Sequence, residues 1–304
     1  MCGIVGYSVG QDACGRLMHA LSCLEYRGYD SAGVALWEDG EIQVLKEQGR
    51  LDRLRALAEE HPHPGGCGIG HTRWATHGSP TAVNAHPHRV GRTVLVHNGI
   101  IENYAALRER LAARGMTFAS QTDTEIAAGL IESLYDGNPL NTLRKAQKEL
   151  EGSFAFAILF ADRPGEIYGL RRGSPLIAAA DDTGGYLASD LPALLDYTNR
   201  YYLLEEGEMV RVAGRELSFF DRGGFPVRKQ ELTAAWSVEA ARKDGYDYFM
   251  LKEIDEEPAA LRDTVLARIR DGLPSLEGEL PRGFFRDVRK VNFTACGTAL
   301  YAGM

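Results

Sequence analysis

An apolar run in the middle of the chain constrains the fold more than any other feature. Residues 153–160 read Ser-Phe-Ala-Phe-Ala-Ile-Leu-Phe, without the polar alternation of a strand that has one face in water. Such a continuous run is typical of a strand covered on both faces. We therefore expect a layered structure in which this strand lies in a sheet between two other layers.

The segments around this run have strand-like and helical patterns. Asp39-Gly40 separates two strand-like segments, which is a hairpin signal, and Thr122 with Glu125 forms a capping box that predicts a helix over 123–135. Further helices are predicted at 12–25, 51–60, 102–114 and 139–151, and further strands at 3–9, 31–37, 42–45, 68–71, 93–97, 166–171, 174–180, 185–189, 200–204, 208–213 and 216–221. This order favours an α+β fold with two antiparallel sheets packed face to face and helices outside.

The C-terminal part of the chain has a different character. Residues from about 230 to 280 are charged and helix-prone, and a strand-like segment at 291–295 precedes a glycine turn and a helix start, a geometry that suits an anion. We predict a domain at 1–228, a helical linker at 229–284 and the truncated start of a second domain at 285–304, because a single strand has no sheet to join. Residues beyond about 230 are expected to be poorly ordered or paired with another chain.

Composition argues against several classes of function. The chain has 304 residues, 44% of them hydrophobic and 25% charged, and a formal net charge of −8. Its scattered basic residues do not suit nucleic acid, and no run reaches the roughly 18 apolar residues of a membrane span. The N-terminus lacks a secretory leader, so we expect a cytoplasmic protein. The five cysteines include no Cys-x-x-Cys pair, which gives little support to a disulfide scaffold or a zinc site.

The N-terminal sequence Met1-Cys2-Gly3 offers a nucleophile. Removal of the initiator Met, which a small second residue normally permits, would leave a thiol beside a free α-amine. That amine, with a pKa of about 7.7–8.0, can accept the thiol proton at neutral pH. The alternative is that Cys2 is simply an inert residue at the start of a strand, since most cysteines are buried and unreactive.

Four residues farther along the chain suit acyl chemistry on an amino acid. Asn98 and Gly99 follow a predicted strand and supply a side-chain amide and a backbone N–H, the donors of an oxyanion hole. Arg73 offers a fork for a carboxylate, and Asp123 offers a countercharge for an ammonium group, so the two together predict a zwitterionic substrate. Each has a plainer interpretation, namely a turn at Asn98-Gly99, a surface charge at Arg73 and a stabilised helix terminus at Asp123.

A cluster of histidines raises the alternative of a metal-dependent hydrolase. Five lie within 27 residues: His71, His77, His86, His88 and His97. Their spacing contains no His-x-x-x-His pair, and no group of cysteines accompanies them. We therefore predict neither a metal nor a cofactor.

Several motifs together resemble the glutaminase half of the glutamine–fructose-6-phosphate aminotransferase family. These are Met-Cys-Gly-Ile-Val-Gly at 1–6, Leu-Glu-Tyr-Arg-Gly-Tyr-Asp-Ser at 24–31, His-Thr-Arg-Trp-Ala-Thr-His-Gly at 71–78, Asn-Ala-His-Pro-His at 84–88, His-Asn-Gly-Ile-Ile-Glu-Asn at 97–103 and Thr-Asp-Thr-Glu at 122–125. The first motif is similar to class II glutamine amidotransferases in general, and those at 24–31 and 71–78 favour the aminosugar-forming family. The resemblance covers all 304 residues, whereas the family's chain is about twice as long and continues into two sugar-isomerase domains.

The resemblance implies an N-terminal-nucleophile hydrolase fold, a four-layer αββα sandwich. It also implies that Cys2 attacks the side-chain amide of L-glutamine, with its own amine as base, and that ammonia is released. Asn98 and Gly99 would form the oxyanion hole, Arg73 would bind the α-carboxylate and Asp123 would bind the α-amine. Thr76 and His77 would line the loop that carries Arg73, and Trp74 would help to close that loop and gate the passage of ammonia. Arg27 and His86 would support the site.

Two departures from the family limit what this chain would do alone. The family's sugar-phosphate loop usually reads Cys-Gly-Thr-Ser, and here it reads Cys296-Gly297-Thr298-Ala299, with one hydroxyl fewer. We expect the rest of that domain to be absent, so that fructose 6-phosphate is reached only through the missing isomerase domain. The alternative to a glutaminase is a glutamine-binding module with little turnover without its partner domain. The resemblance leaves room for a homodimer.

Overall fold

The computed structural model describes residues 2–75, 78–234, 245–270, 272–275, 280, 283–295 and 298–304. The chain divides into two compact units, Met1–Asp244 and Gly245–Met304. In the described residues, no helix is both long and apolar enough to cross a membrane. The domain boundaries at 228 and 284 remain predictions.

The first unit consists of two antiparallel sheets with helices beside them. Its helices are α1 (Ala13–Cys23), α2 (Leu51–Glu59), α3 (Tyr104–Ala112), α4 (Asp123–Leu134) and α5 (Pro139–Glu149). Its strands are β1 (Gly3–Val9), β2 (Ser31–Glu38), β3 (Glu41–Gln48), β4 (Cys67–Arg73), β5 (His88–Val90), β6 (Thr93–Ile101), β7 (Gly152–Phe160), β8 (Glu166–Arg172), β9 (Ile177–Ala180), β10 (Gly184–Ala188), β11 (Arg200–Leu203), β12 (Met209–Ala213), β13 (Glu216–Phe220), β14 (Pro226–Val227) and β15 (Leu232–Thr233). Among the described residues, the first sheet has the order β15-β11-β9-β10-β1-β4-β2-β3 and the second has β14-β13-β12-β8-β7-β6-β5.

The burial of strand β7 shows how the two sheets and the outer helices stack as four layers. Its residues 154–160 are all buried, and alternate side chains enter different apolar clusters. Phe154 and Phe156 pack with residues of α3, α4 and α5, whereas Ala155 packs in the core between the sheets, with Ile4 and Ile69 of the first sheet. A third cluster joins α1 and α2 to the other face of the first sheet. The α+β fold with two stacked antiparallel sheets and outer helices is therefore confirmed.

Two local structures that the sequence predicts, a turn and a helix cap, are also present. Asp39 and Gly40 connect β2 to β3 with φ values of 51° and 86°, both positive as a type I′ turn requires. The Thr122 side chain accepts a hydrogen bond from the Glu125 N–H at 3.2 Å and caps α4. The Glu125 carboxylate reaches past Thr122 to the Ser120 N–H at 2.6 Å, so the capping box closes farther upstream than its usual form.

The described residues of the second unit, taken by themselves, contain little regular sheet. Its elements are α6 (Phe249–Leu266), the hairpin strands β16 (Ile269–Arg270) and β17 (Leu273–Pro274), and α7 (Thr298–Gly303). Residues 291–295, predicted as a strand, form neither a strand nor a helix, because a strand needs a neighbouring strand to satisfy its backbone groups. The predicted disorder or pairing of residues beyond about 230 remains a prediction.

A close backbone approach holds the segment before β5 against the first sheet. A Cβ on Gly33 of β2 would overlap the carbonyl oxygen of His86 and lie 2.8 Å from that of Leu45. Because backbone atoms cannot swing aside, we expect Gly33→Ala to lower the free energy of unfolding by about 1–3 kcal/mol, measured by urea denaturation. Gly10→Ala is the matched control, since a Cβ at Gly10 meets nothing within 4 Å. Equal midpoints for the two variants would contradict this packing role.

Candidate active site

The thiol of Cys2 lies directly before β1 and against the residue that follows β4. Its Sγ accepts a hydrogen bond from the Trp74 backbone N–H at 3.2 Å and donates to the Trp74 carbonyl oxygen at 3.5 Å. Burial raises the pKa of the Cys2 thiol, while the Trp74 N–H and the positive charge of Arg73 counteract the rise. A thiol with a raised pKa is mostly protonated at neutral pH, so it needs a base before it can act as a nucleophile.

Two residues of the motif at 24–31 hold the end of β4 in place. A Cβ on Gly28 would lie 2.6 Å from the carbonyl carbon of Arg73, so this approach requires glycine. The Asp30 N–H donates to the Arg73 carbonyl oxygen at 3.0 Å, and Asp30 Oδ2 accepts from the Ala75 N–H at 2.8 Å. Sequence reasoning gave Gly28 and Asp30 no role, and their place in a conspicuous motif was the one signal that could have identified them.

Arg73 is buried at the end of β4, with 4% of its surface exposed, so it is not a surface charge. Its guanidinium donates to the Gly78 carbonyl oxygen at 3.1 Å and the Ser79 carbonyl oxygen at 3.4 Å, which anchors the segment after β4. Burial lowers the pKa of Arg73, and its interactions with Cys2 and Asp123 oppose that change.

The amide of Asn98 connects β6 of the second sheet to Cys2. Its Nδ2 donates to the Cys2 carbonyl oxygen at 2.9 Å, and its Oδ1 lies 3.1 Å from His71 Nε2. His71 Nε2 also lies 3.0 Å from the His97 carbonyl oxygen; because both partners are acceptors, this nitrogen carries the proton. Burial lowers the pKa of His71 to about 3, so the ring is neutral. His71 thereby fixes which end of the Asn98 amide faces Cys2, a role that sequence reasoning missed.

Gly99 continues β6 instead of turning away from it. The strand runs to Ile101, so the interpretation of Asn98-Gly99 as only a turn does not describe it. Gly99 has a φ of 127°, and a Cβ there would overlap the Ser153 carbonyl oxygen of the neighbouring strand β7. The position therefore requires glycine.

Asp123 is the first residue of α4 and is 5% exposed. Its Oδ2 accepts a hydrogen bond from the Ile101 N–H at 2.8 Å, which ties the start of the helix to the end of β6. The same oxygen lies 3.9 Å from His97 Nδ1. This carboxylate therefore does more than stabilise a helix terminus, because it is held next to the strand that carries Asn98.

The other predicted binding residues are described to different extents. Trp74 packs edge to face on Tyr29, with ring centroids 5.6 Å apart, and is 45% exposed. Thr298 is the first residue of α7 in the second unit. Four predicted residues lie outside the described part of the chain: Thr76, His77, Cys296 and Gly297.

The two predicted supporting residues bind groups near the site. The Arg27 guanidinium contacts the Asp190 carboxylate and donates to the Tyr26 hydroxyl at 3.2 Å. His86 Nδ1 accepts from the His97 N–H at 3.4 Å, and its ring packs on His71 with centroids 4.2 Å apart. His86 is thus in contact with His71, which orients Asn98. Arg27, in contrast, links the segment before Gly28 to Asp190.

The buried histidines interact with protein groups instead of converging on one point. His88 Nε2 lies 3.0 Å from Thr122 Oγ1, and His97 Nδ1 lies 3.0 Å from Thr124 Oγ1. Burial lowers the pKa of His86 and of His88 well below the usual range. Across the described residues, the ring nitrogens of this cluster do not gather as metal ligands do.

The chain is similar to known glutamine amidotransferases. Residues 71–196 match the family model described as a glutamine amidotransferase domain. The whole chain is 44% identical, over 308 aligned residues, to glutamine–fructose-6-phosphate aminotransferase (isomerizing) of Clostridium acetobutylicum, and it covers 51% of that relative. The protein of the same name from Thermus thermophilus is also 44% identical and is covered to 50%. The chain thus spans about half the length of the curated relatives that it matches.

Solved structures show the same fold. Glutamine phosphoribosylpyrophosphate amidotransferase from B. subtilis is 26% identical with a TM-score of 0.63, and the match covers 73% of this chain and 49% of that one. A glutamine aminotransferase class-II domain protein from Silicibacter pomeroyi, 16% identical, has a TM-score of 0.52 and is covered to 99%. The chain carries a glutamine amidotransferase domain over residues 71–196, and its first unit has the N-terminal-nucleophile hydrolase fold of the class II glutamine amidotransferases.

Proposed function

We propose that this chain hydrolyses the side-chain amide of L-glutamine to glutamate and ammonia, with the Cys2 thiol as nucleophile. The observation that carries the proposal is the meeting of four groups. The Asn98 amide donates to the Cys2 carbonyl oxygen at 2.9 Å, and the Cys2 thiol accepts from the N–H of Trp74, the residue after buried Arg73, at 3.2 Å. Asp123 accepts from the Ile101 N–H at 2.8 Å, at the end of the strand that carries Asn98. A thiol, an amide donor, a cation and a carboxylate are the groups that acyl transfer from an amino acid requires.

The chemistry depends on the backbone nitrogen of Cys2. After removal of Met1, this nitrogen is an amine that takes the thiol proton, and Sγ then attacks the amide carbon of glutamine. The carbon–nitrogen bond breaks, and the leaving nitrogen receives the proton and departs as ammonia. Water hydrolyses the resulting γ-glutamyl thioester and returns the thiol. Asn98 Nδ2 and the Gly99 N–H would stabilise the oxyanion in both steps.

The charges in the site select the substrate. Arg73 would bind the α-carboxylate and Asp123 the α-ammonium group, which leaves the side-chain amide of glutamine directed at Cys2. Trp74, half exposed beside the thiol, would close over the bound substrate and gate the passage of ammonia. Thr76 and His77 would line the same loop.

The names of the relatives extend this proposal to a whole enzyme. We infer that, in a longer protein, the ammonia reaches a sugar-phosphate site that converts fructose 6-phosphate to glucosamine 6-phosphate. Cys296, Gly297 and Thr298 would contribute to that site only together with the remainder of an isomerase domain. We also propose that this longer protein is cytoplasmic and forms a homodimer.

A glutamine-binding module with little turnover is the second candidate. The observation that favours it is the position of the Cys2 thiol, which is hydrogen-bonded to both the N–H and the carbonyl oxygen of Trp74. If a partner domain is needed to move the loop that begins at Trp74, this chain would bind glutamine but release glutamate slowly.

The test is glutamate release from L-glutamine by the purified chain, with intact-protein mass spectrometry to report Met1. We expect release only from protein without Met1, because an acylated nitrogen cannot accept the thiol proton. L-asparagine is the control substrate, since its shorter side chain would not bring the amide to Cys2. Protein that lacks Met1 and binds L-glutamine without turnover would support the module, and protein that neither binds nor hydrolyses it would contradict both candidates.

Replacement of His71 tests how the oxyanion donor is held. His71→Phe keeps an aromatic ring but leaves Asn98 Oδ1 without its buried donor, so we expect kcat for glutamate release to fall about tenfold or more. KM should change little, because His71 contacts Asn98 and not the groups that would bind the α-carboxylate and α-amine. His61→Phe, at an exposed position, is the control. A stable His71→Phe variant with normal kcat would refute the positioning role.

A further inference from the structure

A second cluster of reactive side chains lies on the face of α1, outside the glutamine site. His19 and Cys23 are four residues apart on this helix, a spacing that places both side chains on one face. Asp196 comes to the same place from the segment after β10, and its Oδ2 lies 2.7 Å from His19 Nε2. The imidazole nitrogen, the thiol sulfur and a carboxylate oxygen all lie within 4.8 Å of one another.

Both segments that carry these side chains are fixed by the core. On α1, Leu17 and Leu21 are completely buried. Beside Asp196, the ring of Tyr197 packs on the buried ring of Tyr186, with centroids 5.3 Å apart. The helix that carries His19 and Cys23 and the turn that carries Asp196 are therefore both anchored by packed neighbours, which reduces the cost of ordering the three ligand atoms around an ion.

We propose that His19, Cys23 and Asp196 form a binding site for a divalent transition-metal ion of the Zn²⁺ type. A nitrogen, a thiolate and a carboxylate are the ligands that Zn²⁺ takes, and three protein ligands leave the fourth tetrahedral position to water. The sulfur ligand selects against Mg²⁺ and Ca²⁺, which prefer oxygen. The thiolate and the carboxylate together balance the two charges of the ion.

Proton balance follows from the contacts already present. The carboxylate of Asp196 is an acceptor, so the proton between it and His19 Nε2 belongs to the imidazole. When the ion binds to Nε2, this proton moves by way of solvent to Nδ1, so the ring stays neutral. The Cys23 thiol loses its proton to solvent as the metal–sulfur bond forms, so affinity should rise with pH.

The surroundings leave the site open to an ion. The His19 side chain is 50% exposed and that of Asp196 is 21% exposed, so a hydrated ion can approach. Arg16, one turn earlier on α1, is the nearest cation along the helix. Its guanidinium lies over the Tyr197 ring at 5.2 Å and donates to Thr183 Oγ1 at 3.0 Å, which gives its charge other partners.

Cobalt substitution gives the most direct test. The full chain, without any histidine tag and carrying Cys2→Ala to remove the thiol of the proposed nucleophile, is titrated with Co²⁺ and then with Zn²⁺. We expect the visible bands of tetrahedral Co²⁺ and the near-ultraviolet charge-transfer band of a cobalt–thiolate bond, both saturating at one ion per chain and both displaced by Zn²⁺. Because the readout is binding and not turnover, it is independent of the proposed glutaminase activity.

Single replacements identify the ligands. Cys23→Ser should lose the charge-transfer band, and His19→Gln should lose the tetrahedral spectrum while the thiol remains. Cys296→Ser is the matched thiol control and should keep both signals. The assignment is overturned if the starting protein gives neither band, or if the thiolate band survives in Cys23→Ser.

Discussion

Replacement of Cys2 with alanine is expected to abolish glutamate release, with a fall in kcat of roughly 10⁴-fold or more. The reason is that the substitution removes the atom that would form the thioester, so water alone would have to attack the amide. Binding of L-glutamine should persist, because Arg73 and Asp123 are untouched. Steady-state glutamate production and calorimetric binding of L-glutamine measure the two effects separately.

Cys14→Ala is the control for this experiment. Cys14 is also a thiol, but it lies on the buried face of α1, where it is 8% exposed in an apolar cluster, and its loss should leave kcat unchanged. Cys2→Ser adds a second comparison, since a hydroxyl is a far weaker nucleophile than a thiolate. Glutamate release by Cys2→Ala at the rate of the unaltered chain would eliminate Cys2 as the nucleophile.

Replacement of Asn98 with alanine should lower kcat by about 10²–10³-fold, the usual effect of removing one oxyanion donor. The side-chain amide would be the only donor lost, since the Gly99 N–H remains. KM should stay within a few-fold of its original value, because the donor acts on charge that develops in the transition state. Initial rates over a range of L-glutamine concentrations separate the two constants.

Asn103→Ala is the matched control for this loss. Asn103 is the residue before α3, and its amide donates to the Glu149 carbonyl oxygen at 2.8 Å, so its removal affects packing but not the site. Circular dichroism and thermal denaturation of both variants detect any unfolding. An Asn98→Ala variant that folds normally and retains kcat would remove Asn98 from the oxyanion hole.

The parts of this structure that the sequence predicted are those encoded by neighbouring residues. The apolar run at 153–160, the Asp39-Gly40 turn and the Thr122 cap each carry a local pattern with a local physical cause. The stacking of two sheets follows from the first of these, because a strand buried on both faces must have a layer on each side. The candidate residues of the site were chosen because side chains of known chemistry stood in motifs that resemble a family.

The remainder depends on contacts that no local pattern contains. Asp30 acts through the backbone on both sides of Trp74, and His71 acts through Asn98, so neither has a spacing that a sequence would reveal. Asp196 meets His19 across 177 residues. The extension of β6 through Gly99 was missed because an Asn-Gly pair indicates a turn, whereas pairing with β7 keeps the strand extended.

The proposed nucleophile and its proposed oxyanion donors are carried by different sheets. Cys2 directly precedes β1 and Arg73 ends β4 of the first sheet, whereas Asn98 and Gly99 belong to β6 of the second. The apolar layer between the sheets, which includes Ala155, therefore sets the alignment of the reacting groups as well as the stability of the fold. A core substitution that slides one sheet over the other by a fraction of an ångström would behave as a catalytic mutation, even though the altered side chain never meets the substrate.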